Sequence, residues 1–369
     1  MTGFLKRYSM PLIAIAAALL SFIITPPSLK TVTDISWDAI FTLFMLLAVI
    51  EGFKKERMLS PLLSRARLFK RPFTLSLFFV LLVFFSSCLI TNDASLIVLV
   101  PVTMMAMKSI EKEKYIIETV VLETIAANLG SMLTPFGNPQ NLFIYSSEKM
   151  GSLDFISLMA PLSIASLILL VLSVMFVYRK SMDERIHIEI ELPQERMNPS
   201  LSLMYICLFV AVILAVFFSV FKWIDILLLL LAVILIFDRK ILKSIDYPLL
   251  ITLLAFSVFS SSLSSNEAIA SYLRKLSSEH GFSVPLLLSQ VISNVPAAML
   301  LYPFSTDKAA LLYGVDIGGL GTLIASLASL ISFRIYAREN EEKGRYLAIF
   351  TLYNIAMLVV LVPIALICL

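Results

Sequence analysis

Two short polar stretches repeat each other within an apolar chain. The tripeptides Thr91-Asn92-Asp93 and Ser293-Asn294-Val295 lie 202 residues apart, and each has a proline nine positions after its asparagine. An amide side chain offers both donors and an acceptor, so it can bind an anion or help to hold a cation. In a bilayer, a polar break is tolerated where it is buried in protein or lines a wet cavity. The repeated pair therefore indicates the binding site of a membrane transporter.

Two further breaks interrupt predicted transmembrane helices. Leu129-Gly130-Ser131 opens the first break and Leu320-Gly321-Thr322 opens the second, an offset of 191 residues. In the first break, Pro135 and Pro139 remove backbone donors and Gly137 permits positive φ, so the helix cannot continue. The resulting half-helix N-termini would offer N–H groups to an anion, while freed carbonyls and hydroxyls can hold Na⁺. A proline kink that only assists packing explains one break, but four breaks in two pairs favour a binding site.

The composition is that of a polytopic membrane protein. Of the 369 residues, 59% are hydrophobic and 15% are charged, and the mean hydropathy is +0.93. Soluble domains have about 45–50% apolar and about 25% charged residues. The basic residues occupy short loops rather than a patch interleaved with aromatic residues, which argues against nucleic acid as a partner. The lipid bilayer is the expected environment.

No sequence pattern indicates an enzyme, a cofactor or a metal site. The sequence contains no His-Glu-x-x-His, Gly-x-Ser-x-Gly or Walker motif, which are signatures of metalloproteases, hydrolases and ATPases. Cys88, Cys207 and Cys368 lie far apart in apolar segments, so neither a disulfide framework nor a metal cluster is expected. We therefore expect no cofactor other than a coupling ion, Na⁺ or H⁺.

The apolar segments predict an all-α polytopic membrane protein with inverted-topology repeats. About 20 apolar residues span a bilayer. Residues 1–178 form the first predicted half and 201–369 the second, joined by a charged cytoplasmic linker at 179–200. Each half contains a re-entrant helical hairpin and a broken transmembrane helix. The predicted elements are the hairpins 72–107 and 282–304, the broken helices 115–145 and 310–336, and the spans 10–25, 36–52, 155–177, 201–221, 223–237, 248–263 and 346–369.

Lysine and arginine are distributed unequally between the two sides of this topology. With the N-terminus inside, 22 of the 29 basic residues fall on one face and six on the other. Such an excess marks cytoplasmic loops. The assignment puts both ends of the first hairpin inside and both ends of the second outside, so the repeats are inverted. We expect a multi-pass protein of the inner (plasma) membrane with a cytoplasmic N-terminus.

These residues resemble the ion transporter superfamily that includes arsenite permeases, citrate transporters, divalent anion:sodium symporters and one class of sodium/proton antiporters. The resemblance rests on the two tripeptides, on Gly-Asn-Pro-Gln-Asn at 137–141 and on Gly-Thr-Leu-Ile-Ala-Ser at 321–326, and it covers nearly the whole chain. It implies that the hairpin tips and the two unwound loops form the substrate and ion sites. It also implies a homodimer. The motifs are specific to the superfamily but not to one substrate.

The resemblance assigns site residues at the tips and in the loops. Asp93 and Val295 occupy positions where sodium-coupled dicarboxylate symporters have Thr, and the Asn-Asp pair resembles the arsenite and citrate branch. The candidates for substrate binding are Thr91, Asn92, Asn138, Ser293, Asn294 and Ser326. The candidates for ion coupling are Gly137 and Ala325, which the resemblance implies, and the carboxylates Asp93 and Glu123, which are candidates on physical grounds.

Carboxylates within the predicted spans are candidates in their own right. A charged side chain in the bilayer costs a few kcal/mol, so it is usually in a cavity, paired or protonated. Asp93 could bind Na⁺ or carry H⁺, or it could cap the half-helix that follows. Glu123 could carry a proton or make a hydrogen bond that packs two helices. Asp316 is expected at the outer start of its helix, where a cap explains it as well as a function does.

The sequence therefore predicts a secondary active transporter of a small inorganic or organic anion, a carboxylate or an oxyanion. Transport would be by symport or antiport with H⁺ or Na⁺. A Na⁺/H⁺ antiporter of the same fold is the alternative, and it would use Asp93 and Glu123 without any anion. A third alternative is an intramembrane hydrolase with Asp93 and Asp316 as its carboxylate pair, which requires both residues at one depth.

Overall fold

The computed structural model describes residues 2–58, 68–186, 198–218 and 222–369. This part of the chain forms seventeen α-helices with short 3₁₀ turns and contains no strand, which confirms the all-α prediction. The middle of the predicted linker, residues 187–197, lies outside the described residues.

The helices follow the predicted apolar segments closely. The exceptions are the short helix α2 and the amphipathic helix α12, which lie where the sequence predicted no element. In chain order the helices are α1 (Thr2–Ile24), α2 (Leu29–Thr33), α3 (Trp37–Lys55), α4 (Pro72–Ile90), α5 (Asn92–Ser109), α6 (Ile116–Ser131), α7 (Pro139–Glu148), α8 (Ser152–Tyr178), α9 (Pro199–Phe218), α10 (Trp223–Phe237), α11 (Tyr247–Ser264), α12 (Glu267–Glu279), α13 (Ser283–Ile292), α14 (Asn294–Leu301), α15 (Lys308–Ile317), α16 (Leu327–Glu339) and α17 (Lys343–Cys368).

Among the described residues, five helices are long and apolar enough to cross a membrane: α4, α8, α9, α11 and α17. Their outward faces are apolar as well. On α8, Ile164, Ile168 and Leu172 follow each other at four-residue spacing, and each is more than half exposed. Residues four apart share one face of a helix. A stripe of this kind suits contact with lipid.

The helices form two compact units. The first comprises Met1–Glu51, Pro139–Asp154 and Cys207–Gly318, and the second comprises Gly52–Asn138, Phe155–Ile206 and Gly319–Leu369. Each unit takes segments from both linear halves of the sequence. The two broken helices are shared in the same way, because α6 and α16 belong to the second unit and α7 and α15 to the first. The division at 179–200 stays a prediction about sequence repeats.

In the first unit, the second hairpin is the centre of the packing. Its helices α13 and α14 pack against each other and against α15, and α14 also contacts α11 and α7. Helix α1 lies along α11, where Ser262 Oγ donates to the carbonyl oxygen of Ser21 over 3.1 Å. The half-helices α7 and α15 are thereby held next to one hairpin.

In the second unit, the first hairpin has the corresponding position. Helices α4 and α5 pack together and against α6, while α16 packs against both α5 and α6. A line of hydroxyl groups joins α6 to α16 and α17: Thr124 Oγ1 donates to Ser332 Oγ over 2.6 Å, and Ser332 and Tyr346 lie 3.2 Å apart. These bonds satisfy polar groups that would be costly to leave unpaired inside apolar helices.

The two hairpins differ in length. Helices α4 and α5 have 19 and 18 residues, whereas α13 and α14 have 10 and 8. At about 1.5 Å per residue, the first hairpin is roughly twice as long as the second. The repeats are therefore alike at the hairpin tips rather than along the whole hairpin.

Candidate functional site

The two hairpin tips have the same backbone conformation. Thr91 has φ 78° and ψ 149°, and Ser293 has φ 75° and ψ 152°. This region of φ and ψ is almost restricted to glycine and costs about 1–3 kcal/mol for other residues, so it persists where the surrounding structure enforces it. Such strain is concentrated at functional sites. Its presence at both predicted tips sets them apart from ordinary helix connections.

The asparagine after each strained residue also repeats its local bond. Asn92 Oδ1 accepts from the backbone N–H of Asp93 over 2.9 Å, and Asn294 Oδ1 accepts from that of Val295 over 3.0 Å. Each asparagine is the first residue of its helix, α5 or α14. The side chain thus satisfies one of the donors that a helix N-terminus leaves without an intrahelical partner.

In the second unit, several predicted site residues meet at Asn128, near the end of α6. Its Oδ1 accepts from Asn92 Nδ2 over 3.3 Å and from Ser326 Oγ over 2.8 Å. Its Nδ2 donates to the carbonyl oxygen of Gly319 over 3.3 Å and to Ser329 Oγ over 3.4 Å. The amide therefore uses its full capacity of two donors and two acceptor positions. Asn128 joins the hairpin tip to the second break.

The first break is attached to the same cluster. The backbone N–H of Asn92 donates to the carbonyl oxygen of Gly137 over 3.2 Å, and Asn138 Nδ2 donates to Ser131 Oγ over 3.3 Å. A Cβ at Gly137 would lie against the carbonyl of Ser131. Gly137 does not have positive φ, so glycine is required there for close approach and not for the backbone angle that the sequence suggested.

The coupling candidates take different positions around this cluster. Asp93 is half-buried in the first turn of α5, whose N-cap is Thr91. Ala325 is buried in the second break, and its N–H donates to the carbonyl of Thr322. Glu123 is fully buried on α6. Glu123 lies outside the Asn128 cluster.

Glu123 has an incomplete set of hydrogen bonds. Its Oε1 accepts from Thr103 Oγ1 of α5 over 2.5 Å. Its Oε2 is buried and has no hydrogen-bond donor within the part of the chain that the structure describes. A carboxylate with one donor in an apolar helix pair is unfavourable in its charged form. Both interpretations from the sequence, a packing bond and a proton site, therefore fit this residue.

In the first unit, the tip of the second hairpin is less completely bonded. Asn294 is buried, with 4% of its surface exposed, yet its Nδ2 has no acceptor among the described residues. In the hairpin helix before it, Gln290 Nε2 donates to the carbonyl oxygen of Gly318 over 2.8 Å. Asn92 Nδ2 donates one hydrogen bond to Asn128. The corresponding Nδ2 of Asn294 has both of its N–H groups available for a ligand.

Asp316 is not where the sequence analysis placed it. The start of α15 is capped by Asp307, whose Oδ1 accepts from the N–H of Ala310. Asp316 is the penultimate residue of this helix and is 2% exposed. Its Oδ1 accepts from Gln140 Nε2 of α7 over 3.0 Å. The predicted position of Asp316, at the outer start of the helix, was wrong. Helix α15 begins at Lys308 and ends at Ile317, next to the break, so Asp316 lies at the end of the helix that faces the break.

Oriented backbone donors accompany these side chains in both units. In the second unit, α5 and α16 begin at the two ends of the Asn128 cluster, at Asn92 and next to Ser326. In the first unit, α14 and α7 pack together, beginning at Asn294 and Pro139. The N-terminus of a helix carries partial positive charge and unpaired N–H groups, which favour an anion.

Asn128 and Gln140 are site residues that the sequence did not indicate, whereas Asp316 was considered but at the wrong end of its helix. Gln140 lies two residues after the selected Asn138, and Asn128 lies directly before the Leu129-Gly130-Ser131 that opens the first predicted break. The signal that could have found them is an amide in an otherwise apolar segment, one or two residues from Gly or Pro. The structure places Ser293 and Asn294 in the first unit and the other selected residues in the second.

The chain has extensive similarity to known membrane proteins. It matches the model of the citrate transporter family over residues 4–311. It is 35% identical over 338 residues to an uncharacterized transporter of Methanocaldococcus jannaschii, and that match covers 90% of both chains. It is 31% identical over 329 residues to the inner membrane protein YbiR of Escherichia coli, covering 88% of this chain and 85% of that protein.

These matches confirm the resemblance to the ion transporter superfamily and indicate a transporter rather than an enzyme. With helices long and apolar enough to cross a membrane and polar breaks at the tips of both hairpins, the protein is a multi-pass membrane transporter, and the chain belongs to the citrate transporter family.

Proposed function

We propose that this protein is a secondary active transporter of a small anion, a carboxylate or an oxyanion, coupled to H⁺ or Na⁺. The observation that carries the proposal is the repeated tip geometry: in both units a strained hydroxyl residue and an asparagine begin a helix next to a broken helix. The site combines amides, hydroxyls and helix N-termini. These groups recognise an anion through hydrogen bonds and partial charge.

Asn294 is the residue best prepared to contact the anion. Asn294 is buried as a residue, and its Nδ2 makes no hydrogen bond to an acceptor of the described residues. A carboxylate or oxyanion oxygen could accept hydrogen bonds from this amide. Thr91, Asn92, Ser293, Asn138 and Ser326 are the further residues that we assign to substrate binding.

Coupling is assigned to the carboxylates and to the broken backbone. Asp93 and Glu123 are able to exchange a proton or to hold a cation, and the carbonyl groups near Gly137 and Ala325 are oxygen ligands of the kind that suits Na⁺. The relatives include a family described as citrate transporters, so citrate is the first substrate to test.

The deciding experiment is uptake into proteoliposomes. Purified protein would be offered radiolabelled citrate, other carboxylates, phosphate, sulfate and arsenite, with an inward gradient of H⁺, of Na⁺ or of neither. We expect accumulation of one anion class that depends on one gradient. If none of these anions is accumulated or exchanged above the level of empty liposomes, the proposal is wrong.

The matched asparagines provide the first mutational prediction. Asn294→Ala and Asn92→Ala should each lower the uptake efficiency by about 10–100-fold, because a hydrogen bond to a charged group contributes about 1.5–3 kcal/mol. Thermal melting would establish that both variants remain folded. Asn266→Ala, which alters the N-cap of α12 in the first unit, is the control and should transport normally. Wild-type kinetics in both tip variants would remove these residues from the site.

A Na⁺/H⁺ antiporter of the same fold is the second candidate, and Glu123 is the observation that favours it. A fully buried carboxyl group with one hydroxyl donor is suited to exchanging a proton. Proteoliposomes loaded with radioactive sodium would distinguish the two functions. Sodium efflux driven by a pH gradient in the absence of any anion would favour the antiporter, and its dependence on the transported anion would favour the symporter.

We also propose the inner (plasma) membrane as the location and a homodimer as the assembly. The first rests on the basic residues and on the name of the Escherichia coli relative, and the second on the superfamily. Cross-linking in native membranes with a bifunctional amine reagent would test the assembly: a band at twice the monomer mass is expected, and a monomer alone would contradict it.

A further inference from the structure

The two broken helices contact their hairpins in matching ways. A Cβ at Gly130 would meet Ser87 Oγ, and a Cβ at Gly318 would meet Ser289 Oγ. Ser87 and Ser289 are 202 residues apart, like the hairpin tips, whereas the two glycines are 188 residues apart. The packing thus relates residues of the two broken helices that are 188 positions apart. Aligning Leu129-Gly130-Ser131 with Leu320-Gly321-Thr322 by sequence alone gave 191 positions.

Two further observations support the offset of 188. Cys88 Sγ bonds to the carbonyl oxygen of Gly130 over 3.1 Å, and its counterpart Gln290 bonds to that of Gly318 over 2.8 Å. Helices α7 and α16 begin at Pro139 and Leu327, also 188 residues apart. At this offset Asn128 of the second unit corresponds to Asp316 of the first. A neutral amide and an ionisable carboxyl group thus occupy the same place in the two units.

The side chain of Gln140, which contacts Asp316, carries both a hydrogen-bond donor and an acceptor. Gln140 is 2% exposed, and its Nε2 donates to Asp316 Oδ1 over 3.0 Å. Gln140 Oε1 is also buried, and the described residues supply no hydrogen-bond donor to it. A buried acceptor without a donor is unfavourable. A proton on a neighbouring oxygen would supply the donor that this acceptor lacks among the described residues.

A protonated carboxyl group has the pattern that Gln140 requires. It presents one acceptor oxygen and one O–H donor, whereas an amide presents an N–H donor and an acceptor oxygen. A proton on Asp316 would remove the charge from a buried group and would create a donor beside Gln140. The ionised form can use only the Nε2 donor of that amide.

We propose that Asp316 takes up and releases a proton during transport and that Gln140 is the positioning residue that holds the protonated form. The proton comes from water on one side of the membrane and returns to water on the other, so no further reactant is required. The inference rests on the proposed function, since it names Asp316 as a coupling group in the first unit in addition to Asp93 and Glu123 in the second.

Among the titratable groups on α15 and on the helices packed against it, Asp316 is the one suited to exchanging a proton. Helices α13 and α14, which pack against α15, contain none. Helix α7 contributes Tyr145 and Glu148, and α15 itself contributes Lys308 and Tyr313. Lys308 and Glu148 form an ion pair of 3.5 Å, eight residues and about 12 Å along the helix from Asp316. The tyrosines are neutral at physiological pH.

Infrared difference spectroscopy of the purified full-length protein tests the proton directly, without a substrate. Lowering the pH should produce carboxylic acid C=O bands, and one component of the wild-type spectrum should be missing in Asp316→Asn while the bands of the other carboxyl groups remain. Asp307→Asn, at the exposed start of the same helix, is the matched control and should keep that component. In Gln140→Leu that component should move to higher frequency, because the acid then lacks the hydrogen bonds of the amide.

Transport gives the second readout. Asp316→Asn should fold, because an asparagine already occupies the corresponding place in the second unit and can still accept from Gln140. Asp316→Asn should still exchange substrate between equal concentrations but should lose accumulation driven by a pH gradient. Asp316→Glu keeps an ionisable group and should retain part of that accumulation.

Three results would overturn the inference, and they are separate from failure of the proposed function. One is a pH-difference spectrum of Asp316→Asn in which no C=O component of the wild type is missing. Another is wild-type accumulation by that variant when the wild-type protein itself transports. The third is a Na⁺-dependent rise in melting temperature that Asp316→Asn abolishes while the infrared band is unchanged, which would make the site a cation site. A wild-type protein that transports no anion would contradict only the proposed function.

Discussion

At the scale of single residues, the structure separates positions that the sequence treated alike. Asn92 and Asn294 share a local bond to the next backbone N–H, but Asn92 also bonds to Asn128. Thr91 is the N-cap of α5, so Asp93 is a first-turn residue and not the cap that the sequence offered as its structural role. A first-turn carboxylate still interacts favourably with the helix dipole, by about 0.3–1 kcal/mol.

Asp93→Asn separates the coupling role from the dipole role. A dipole role predicts normal transport and a loss of stability below about 1 kcal/mol. A coupling role predicts that accumulation against a gradient fails while exchange between equal concentrations survives, because asparagine cannot ionise. We expect the second result in proteoliposomes. Asp154→Asn, in the first turn of α8, is the control, and normal uphill uptake by Asp93→Asn would contradict the coupling assignment.

At the scale of elements, close packing of the broken helix against the hairpin fixes the geometry of the site. Gly130 lies against the backbone carbonyl of Phe84 and against Ser87 on α4. Small residues allow helices in membranes to approach closely. The approach brings Asn128, two residues earlier on α6, to the hairpin tip. Helix packing and the hydrogen-bond cluster therefore depend on the same residue.

Gly130→Ala should disturb both the packing of α6 against α4 and the hydrogen-bond cluster at Asn128. The added methyl group would meet backbone atoms that cannot rotate away, and overpacking of this kind costs about 1–3 kcal/mol. We expect a lower melting temperature in detergent and weaker uptake. Gly344→Ala is the matched control, because a Cβ at Gly344 has no neighbour within 4 Å and alanine favours a helix by about 1 kcal/mol. Equal melting temperatures for the two variants would show that α4 and α6 can separate without cost.

At the scale of the whole molecule, the arrangement in the membrane follows from the charges rather than from the helices. The excess of basic residues on one side of the predicted topology predicts a cytoplasmic N-terminus. In the predicted inverted repeats, the first hairpin enters the membrane from inside and the second from outside. Labelling can test which side of the membrane each loop faces.

Cysteine labelling tests that orientation. In a variant without its three native cysteines, a cysteine at Lys149 or at Lys308 should react with an impermeant thiol reagent added outside intact cells, and one at Lys112 should not. Lys149 is exposed, so lack of access would not explain a negative result there. Labelling at Lys112 alone would reverse the topology, and the proposed direction of both hairpins would reverse with it.

The sequence by itself determined the class of protein, the helices and the breaks. Apolar runs of about 20 residues require helices, because a bilayer offers no partner for free backbone groups. Proline, glycine and paired amides then locate the interruptions, and these are local properties of the chain. For the same reason the hairpin tips at Asn92 and Asn294 could be found without a structure.

Only the tertiary structure decided which residues meet. The offset of 188 for the broken helices depends on where Gly130 and Gly318 touch the hairpins, and a similarity of three residues in the sequence pointed to 191. Asn128 receives bonds from segments nearly 200 residues away, and Asp316 lies at the inner end of its helix because of where α15 begins and ends. Contacts between distant segments depend on how whole helices pack, and no local pattern in the sequence records that packing.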